Sequence, residues 1–234
     1  MKNAFALAAT LLAAGYVVAA ETTPTDTVNG ALTKLKAATN YAWKATIQIP
    51  DAPFEPGPVK GSTEQGGYSM VSQEFNDNTI EAVFKGEKVA VKGEQGWQLL
   101  DEMEGMGAMM GGWLTVNGTA ADEAGKLLKG VKELKSGGDN LFTGDLTPEA
   151  AKDLMTYKPR RGQAPPPPKD AKGSVKFWVK DGALTKFESH MQAKVTFGDQ
   201  EDQPFDVTRT VEIQNVGTTK VEVPADAKKK LESK

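Results

Sequence analysis

Apolar residues recur along this chain with two alternating periods, and the switches between them divide it into elements. Val28, Ala31, Leu32 and Leu35 fall at helical spacing, with Asp26 or Thr27 placed to cap the start and a polar tail, residues 21–27, before it. The period then drops to two. Tyr41, Trp43, Ala45, Ile47 and Ile49 alternate with Ala42, Lys44, Thr46 and Gln48, as a half-buried strand requires, until Pro50, Pro53, Pro56 and Pro58 end it. Residues 61–102 read as short strands at 68–75, 79–84, 88–92 and 97–100, separated by the turns Gln65-Gly66-Gly67, Asn76-Asp77-Asn78, Lys85-Gly86-Glu87 and Gly93-Glu94-Gln95-Gly96. A parallel crossover needs a dozen or more residues, so strands this close predict an antiparallel meander.

The middle of the chain returns to the helical period. Leu127, Leu128, Val131 and Leu134 predict a helix within residues 119–134, and Thr147-Pro148-Glu149 has the cap-then-proline order of a second helix carrying Ala150, Ala151, Leu154 and Met155. Four prolines at 165–168 remove four backbone donors and predict a stiff surface connector. The last block is strand again. Residues 175–180 lead through Asp181-Gly182, a hairpin signal, into a long strand with Ala183, Thr185, Phe187, Ser189, Met191, Ala193, Val195 and Phe197 on one face. A further strand sets Phe205, Val207, Arg209, Val211 and Ile213 against Asp206, Thr208, Thr210, Glu212 and Gln214. Residues 220–223 add a candidate edge strand, and Pro224 opens a C-terminal turn or helix. The sheet is expected to be wet on one side.

The N-terminus stands apart from this pattern. Lys2, an apolar run over residues 4–17 and Val18-Ala19-Ala20 before Glu21 have the order of a cleavable secretory signal. The run falls short of the roughly 20 residues that span a membrane, and no second span follows. The reading is a signal peptide over residues 1–20 and one domain over 21–234, extracytoplasmic and without a stable membrane anchor. Loss of Lys2 moves the formal net charge from −3 to −4, a balance that argues against a nucleic-acid binder. The sequence holds no Cys, which excludes disulfides, thiolate metal sites, a Cys nucleophile and lipidation of an N-terminal cysteine.

Catalytic chemistry finds little support. The one His, His190, falls among Lys186, Glu188 and Lys194 on the polar strand face, away from any Ser-His-Asp arrangement. The acidic pairs Asp101 and Glu102, Asp122 and Glu123, and Glu201 and Asp202 lie in polar stretches, where solvated charge is the expectation. No phosphate loop, dinucleotide fingerprint or zinc spacing occurs, and no cofactor is implied. The most unusual stretch is residues 103–113, where Met103, Met106, Met109 and Met110 mix with four glycines and end on Trp113. Three readings stay open: a Cu(I)-binding thioether loop, a mobile loop whose methionines fill the core, and an adaptable apolar lid over a cavity. Arg209 shares the apolar face of its strand and needs there either a partner, whether a carbonyl, a carboxylate or an anionic ligand head group, or a route to water from near the strand end.

The order of elements resembles the LolA-like half-barrels, the bacterial lipoprotein-carrier and lipoprotein-localisation families. The likeness runs through the helix-to-strand passage of residues 35–49, Gly-Glu-Lys-Val-Ala-Val-Lys and Gly-Trp-Gln within residues 86–98, Phe-Trp-Val-Lys-Asp-Gly-Ala-Leu-Thr-Lys at 177–186 and Val-Glu-Val-Pro at 221–224. It implies an α+β fold, a curved antiparallel sheet wrapped around a few helices and enclosing an apolar cavity for acyl chains. The expected function is non-catalytic: a carrier or binding protein for a lipid or acylated ligand, a lipoprotein included. Trp43, Met103, Met106, Met109, Met110, Trp113 and Arg209 are the candidates for cavity or lid. The alternative is a structural or partner-binding envelope protein whose core is fully packed.

Overall fold

The structure, a computed structural model, describes residues 22–50, 52, 56–75, 78–156, 164–197 and 200–233, so the export signal read in residues 1–20 lies outside the described residues. Helix α1 (Pro24–Ala37) leads into β1 (Asn40–Gln48), and a meander follows: β2 (Val59–Glu64), β3 (Ser69–Phe75), β4 (Asn78–Lys85), β5 (Lys88–Gly93) and β6 (Gly96–Leu99). Helices α2 (Gly105–Thr115) and α3 (Ala120–Gly130), strands β7 (Lys135–Ser136) and β8 (Leu141–Asp145), and helix α4 (Pro148–Met155) form the middle. Strands β9 (Lys169–Lys180), β10 (Ala183–Phe197) and β11 (Gln200–Gln214) and helix α5 (Ala225–Glu232) complete the chain.

All eleven strands join one antiparallel sheet in the order β6-β5-β4-β3-β2-β1-β11-β10-β9-β8-β7. The two halves meet where β1 pairs with β11, and the outer strands β6 and β7 do not pair with each other, so the sheet is an unclosed half-barrel. The α+β half-barrel expected from the sequence is the observed fold. Its inner face carries the period-two apolar sets, among them Tyr41, Trp43, Val71, Val91, Phe177, Phe187 and Val211, in one core with Val28, Leu32 and Leu35 of α1. Among the described residues no helix is long and apolar enough to cross a membrane.

Most of the periodicity arguments hold, and the departures have local causes. Thr23, rather than Asp26 or Thr27, caps α1, accepting the Asp26 N–H at 3.1 Å ahead of Pro24, so most of the supposed polar tail is the first helical turn. The helix expected within residues 119–134 stops at Gly130; Val131 bridges Leu146 and Leu134 enters the core from outside the helix. Strand β8, absent from the sequence reading, pairs with β9 and sets Phe142 beside Phe177. A register shift between Leu184 and Lys186 turns Leu184 inward and leaves Ala183 and Thr185 exposed, reversing the start of the predicted inner face of β10. Residues 220–223 are not a strand: Val221 and Val223 pack with Ala227 and Leu231 of α5 over Tyr68, Val83 and Ala90. The outer face of β4 to β6 is therefore covered, not wet. Of the four prolines, the first three are exposed and Pro168 is buried where β9 begins.

Two close fits hold the inner face. Trp43 lies across Gly61, its partner on β2, so closely that a Cβ at position 61 would come within 2.0 Å of the indole ring. Helix α3 is pinned at its start: Thr119 and Asp122 form a capping box, and the Ala121 N–H donates to the buried Tyr41 hydroxyl at 3.2 Å. Burial raises the Tyr41 pKa above the ordinary phenol value. One turn on, Arg209 reaches from between Ile47 and Ser189 on the sheet to Glu123, with Nε–Oε1 at 2.8 Å and Nη2–Oε2 at 3.3 Å. Side-chain exposures of 13% and 9% make this a buried, two-pronged ion pair.

Two outcomes follow from these fits. G61A should cost roughly 1–3 kcal/mol, read from the urea midpoint, because the indole has no room to retreat. R209M should cost about 3–5 kcal/mol by stranding the Glu123 carboxylate, whereas R209M/E123L should recover most of the loss. A single-variant cost below about 1 kcal/mol would show a pair as weakly coupled as an exposed one.

Candidate functional site

The methionine- and glycine-rich run, expected as a loop, is the helix α2. Glycine costs a helix interior about 1 kcal/mol relative to alanine, so local propensity argues against this outcome. Tertiary packing reverses it. Gly111 is buried against β5, where a Cβ would meet Val91 Cγ2 at 2.6 Å, so the absence of a side chain brings the helix axis down onto the sheet. Leu114 and Ala108 pack on the core, while Met109, Trp113 and Val116, four and three residues apart, are 50%, 54% and 49% exposed on the opposite side. Gly111 and Ala108 thus face the sheet beside Leu114, while large apolar residues stand toward solvent.

Helix α2 covers β3, β4 and β5, whereas α1 lies on β9 and β10, α4 lies on β9, and α3 bridges α1 and α4. A cleft of about 850 Å³ opens where these two groups of helices meet. One wall is Leu100, Met103 and, on α2, Ala108, Met109 and Gly112. The other is Gly130 of α3 with Ala150, Leu154 and Thr156 in and after α4. Lys126 and Lys129 from α3, with Asp101 and Asp153, supply its charge, and neither acid is free of other interactions. A second hollow of about 320 Å³ shares Thr115, Val116, Lys126 and Lys129 with the cleft and adds Lys36, Gly118, Asp122 and Gly125. The volume and apolar lining suit a small amphiphile.

Of the seven residues singled out in the sequence, Met103 and Met109 line this cleft. Met103 also packs on the core, as the gap-filling reading expects. Trp113 is exposed and, like the half-buried Met110, outside the lining, and the Met106 side chain lies outside the described residues. Trp43 is buried under β2 and takes no part, its indole N–H finding no acceptor among the described residues. Arg209 points to the inner side as its register predicts, but its partner is the Glu123 carboxylate. Leu100, Ala108, Leu154 and the lysines were not singled out. Their signal was faint: Ala150 and Leu154, and Lys126 and Lys129, each share a helix face, but which faces meet depends on how the helices dock.

His190 lies on the polar face, as expected, with Nε2 2.8 Å from Asp206 Oδ1. Hydrogen bonding from Gln192, then from His190, holds the Asp206 carboxyl below the usual carboxylate range. Neither residue lines the cleft. Among the described residues no group of three His, Asp or Glu side chains is placed to hold a metal ion.

The sequence matches no protein-family model and no curated protein. Solved structures do resemble it. The lipoprotein LppX of Mycobacterium tuberculosis aligns over 86% of this chain and 98% of its own, with 13% identity and a TM-score of 0.50. LprF of Mycobacterium bovis aligns over 86% and 95% at 11% identity with a TM-score of 0.45, and a LolA-superfamily protein of Nitrosomonas europaea over 86% and 95% at 8% with a TM-score of 0.36. The likeness to LppX, together with the unclosed antiparallel sheet and its inner helices, shows that this chain shares the half-barrel fold of that structure.

Proposed function

We propose that this protein is an extracytoplasmic, non-catalytic carrier that seats the acyl chain of a lipid or acylated ligand in the cleft between α2 and the α3–α4 pair. The observation that carries the reading is the open apolar cleft itself, about 850 Å³ at a seam the helices leave unfilled. An acyl chain entering it gains about 0.8 kcal/mol per buried methylene, so about ten methylenes supply on the order of 8 kcal/mol before the costs of association. No reacting group is needed for this. The exposed Met109 and Val116 give the mouth an apolar lip, and unbranched methionines adapt to chains of differing shape. The same cleft disfavours the alternative, a structural envelope protein whose sheet is fully packed by its own helices. Export rests on the signal read in residues 1–20.

Binding is tested by native mass spectrometry of gently purified protein and by titration with a fluorescent fatty acid. The expected results are one bound chain per protein and a titration that saturates, weakened at least tenfold in A108W, which fills the cleft, and in L154D, which puts a charge into it. Similar unfolding midpoints for A108W and the parent separate a blocked cleft from a damaged fold. Protein that is free of hydrophobic ligand and takes up no fatty acid overturns the reading. Expression with export should release a product whose intact mass begins at Glu21; retention of Lys2 in the released protein contradicts the secretory assignment.

A further inference from the structure

The second hollow continues from the apolar cleft through shared residues, yet its chemistry differs. It is framed by Lys36 at the end of α1 and by Lys126 and Lys129 on the exposed face of α3. Lys126 and Lys129 are three residues apart, hence neighbours on one helix face. Lys36 comes from another element and extends over α3 until its Nζ lies 3.1 Å from where a Cβ at position 125 would stand; glycine there leaves room for the ammonium. Among the described residues none of the three ammonium groups has a carboxylate within 4.0 Å. The one acid of the hollow, Asp122, is occupied by the capping box, its Oδ2 accepting the Thr119 hydroxyl at 2.7 Å and the Thr119 N–H at 3.2 Å. Some lysines elsewhere on the described surface do pair, as Lys60 does with Glu74, Lys176 with Glu188 and Lys194 with Asp170, but many do not, so what sets these three apart is their convergence from two helices on one hollow.

Among the described residues the hollow gathers three cations from two helices against the single Asp122 carboxylate, a net positive charge that invites an anion. We propose that this hollow holds the anionic head group, phosphate or carboxylate, of the amphiphile whose chain lies in the cleft. The proposal rests on the carrier reading and specifies its ligand class: single-chain or branched acyl compounds with a negatively charged end. The geometry suits such a molecule, because Thr115 and Val116 border both spaces and an amphiphile crossing there keeps its chain against Met109, Ala108 and Leu154. Lysines act here as mobile point charges, which accept phosphate and carboxylate alike and discriminate by charge. Their solvent exposure keeps each contribution modest and sensitive to salt.

The test measures displacement of a neutral reporter, N-phenyl-1-naphthylamine, by decyl phosphate and by decanol, which share a chain and differ in the end group. The parent protein should prefer decyl phosphate by on the order of tenfold at low salt, with the preference shrinking in 0.5 M NaCl. In K36Q/K126Q/K129Q the ratio between the two ligands should fall toward one. Inorganic phosphate at millimolar concentration should leave the reporter in place, since the head group is held by its chain. Displacement by inorganic phosphate alone overturns the head-group assignment in favour of a free-anion site. Equal displacement by decyl phosphate and decanol, or a preference unchanged in the triple variant, overturns the anionic end while leaving chain carriage intact. Failure of the reporter and of both ligands to bind removes the carrier reading and this proposal with it.

Discussion

An open sheet of eleven strands has an apolar inner face that it cannot cover by closing on itself, and the rest of the molecule answers that constraint. Burying the inner side chains of β1, β3, β5, β9, β10 and β11 is the main source of stability, at about 25 cal/mol for each Å² withdrawn from water. Four short helices provide the cover, and they divide between the two halves of the sheet. Helices of 8 to 14 residues are too short to span both halves, so a seam is left between them, and the seam is the cleft. The cavity is thus a consequence of architecture, with no single residue dedicated to making it. The Arg209–Glu123 pair belongs to the same constraint. It fixes α3 over the junction of the two halves, where a helix held by apolar contacts alone could slide and close the gap.

Helix α2 shows how packing overrides propensity. A sequence with glycine at 105, 107, 111 and 112 is a poor isolated helix, and its apolar residues show no clean stripe. Against β5 the missing side chain of Gly111 becomes the contact surface, and large residues are displaced to the solvent side. A helix assembled this way gains little from its own sequence and depends on the sheet beneath it. Under the proposed function, that makes it the element best suited to adapt to ligands of different shape, with methionines flexible at three torsions.

The polar decoration falls into two kinds. On the outer side, charges are matched locally: Lys176 with Glu188, and His190 and Gln192 with Asp206. Such exposed pairs add little stability individually but keep the long strands β9 to β11 soluble and in register. Around the cleft Lys36, Lys126 and Lys129 converge beside an apolar groove. Such convergence costs the free protein some repulsion, which a bound anion relieves. Under the proposed carrier function, apolar burial would set affinity and charge would set selectivity.

The sequence by itself determined the class of the fold. Alternation in β1, β10 and β11 and the turn signals of the meander specified antiparallel strands with one inner face, because a period of two leaves a strand no choice of which side chains share a side. It also placed Arg209 on that face and the capped start of α4 at Thr147. What it could not contain was anything decided by contacts between distant segments. The inward turn of Leu184 comes from a register shift against β9, β8 forms because β9 offers it an edge, and α2 sits on β5 through the close approach of Gly111. The candidate site belongs wholly to that second group. Met103 and Met109 stood out by composition, but Leu154, Ala108 and the three lysines became a site through the docking of helices from opposite halves of the sheet, and periodicity within a helix carries no record of which neighbour it will meet.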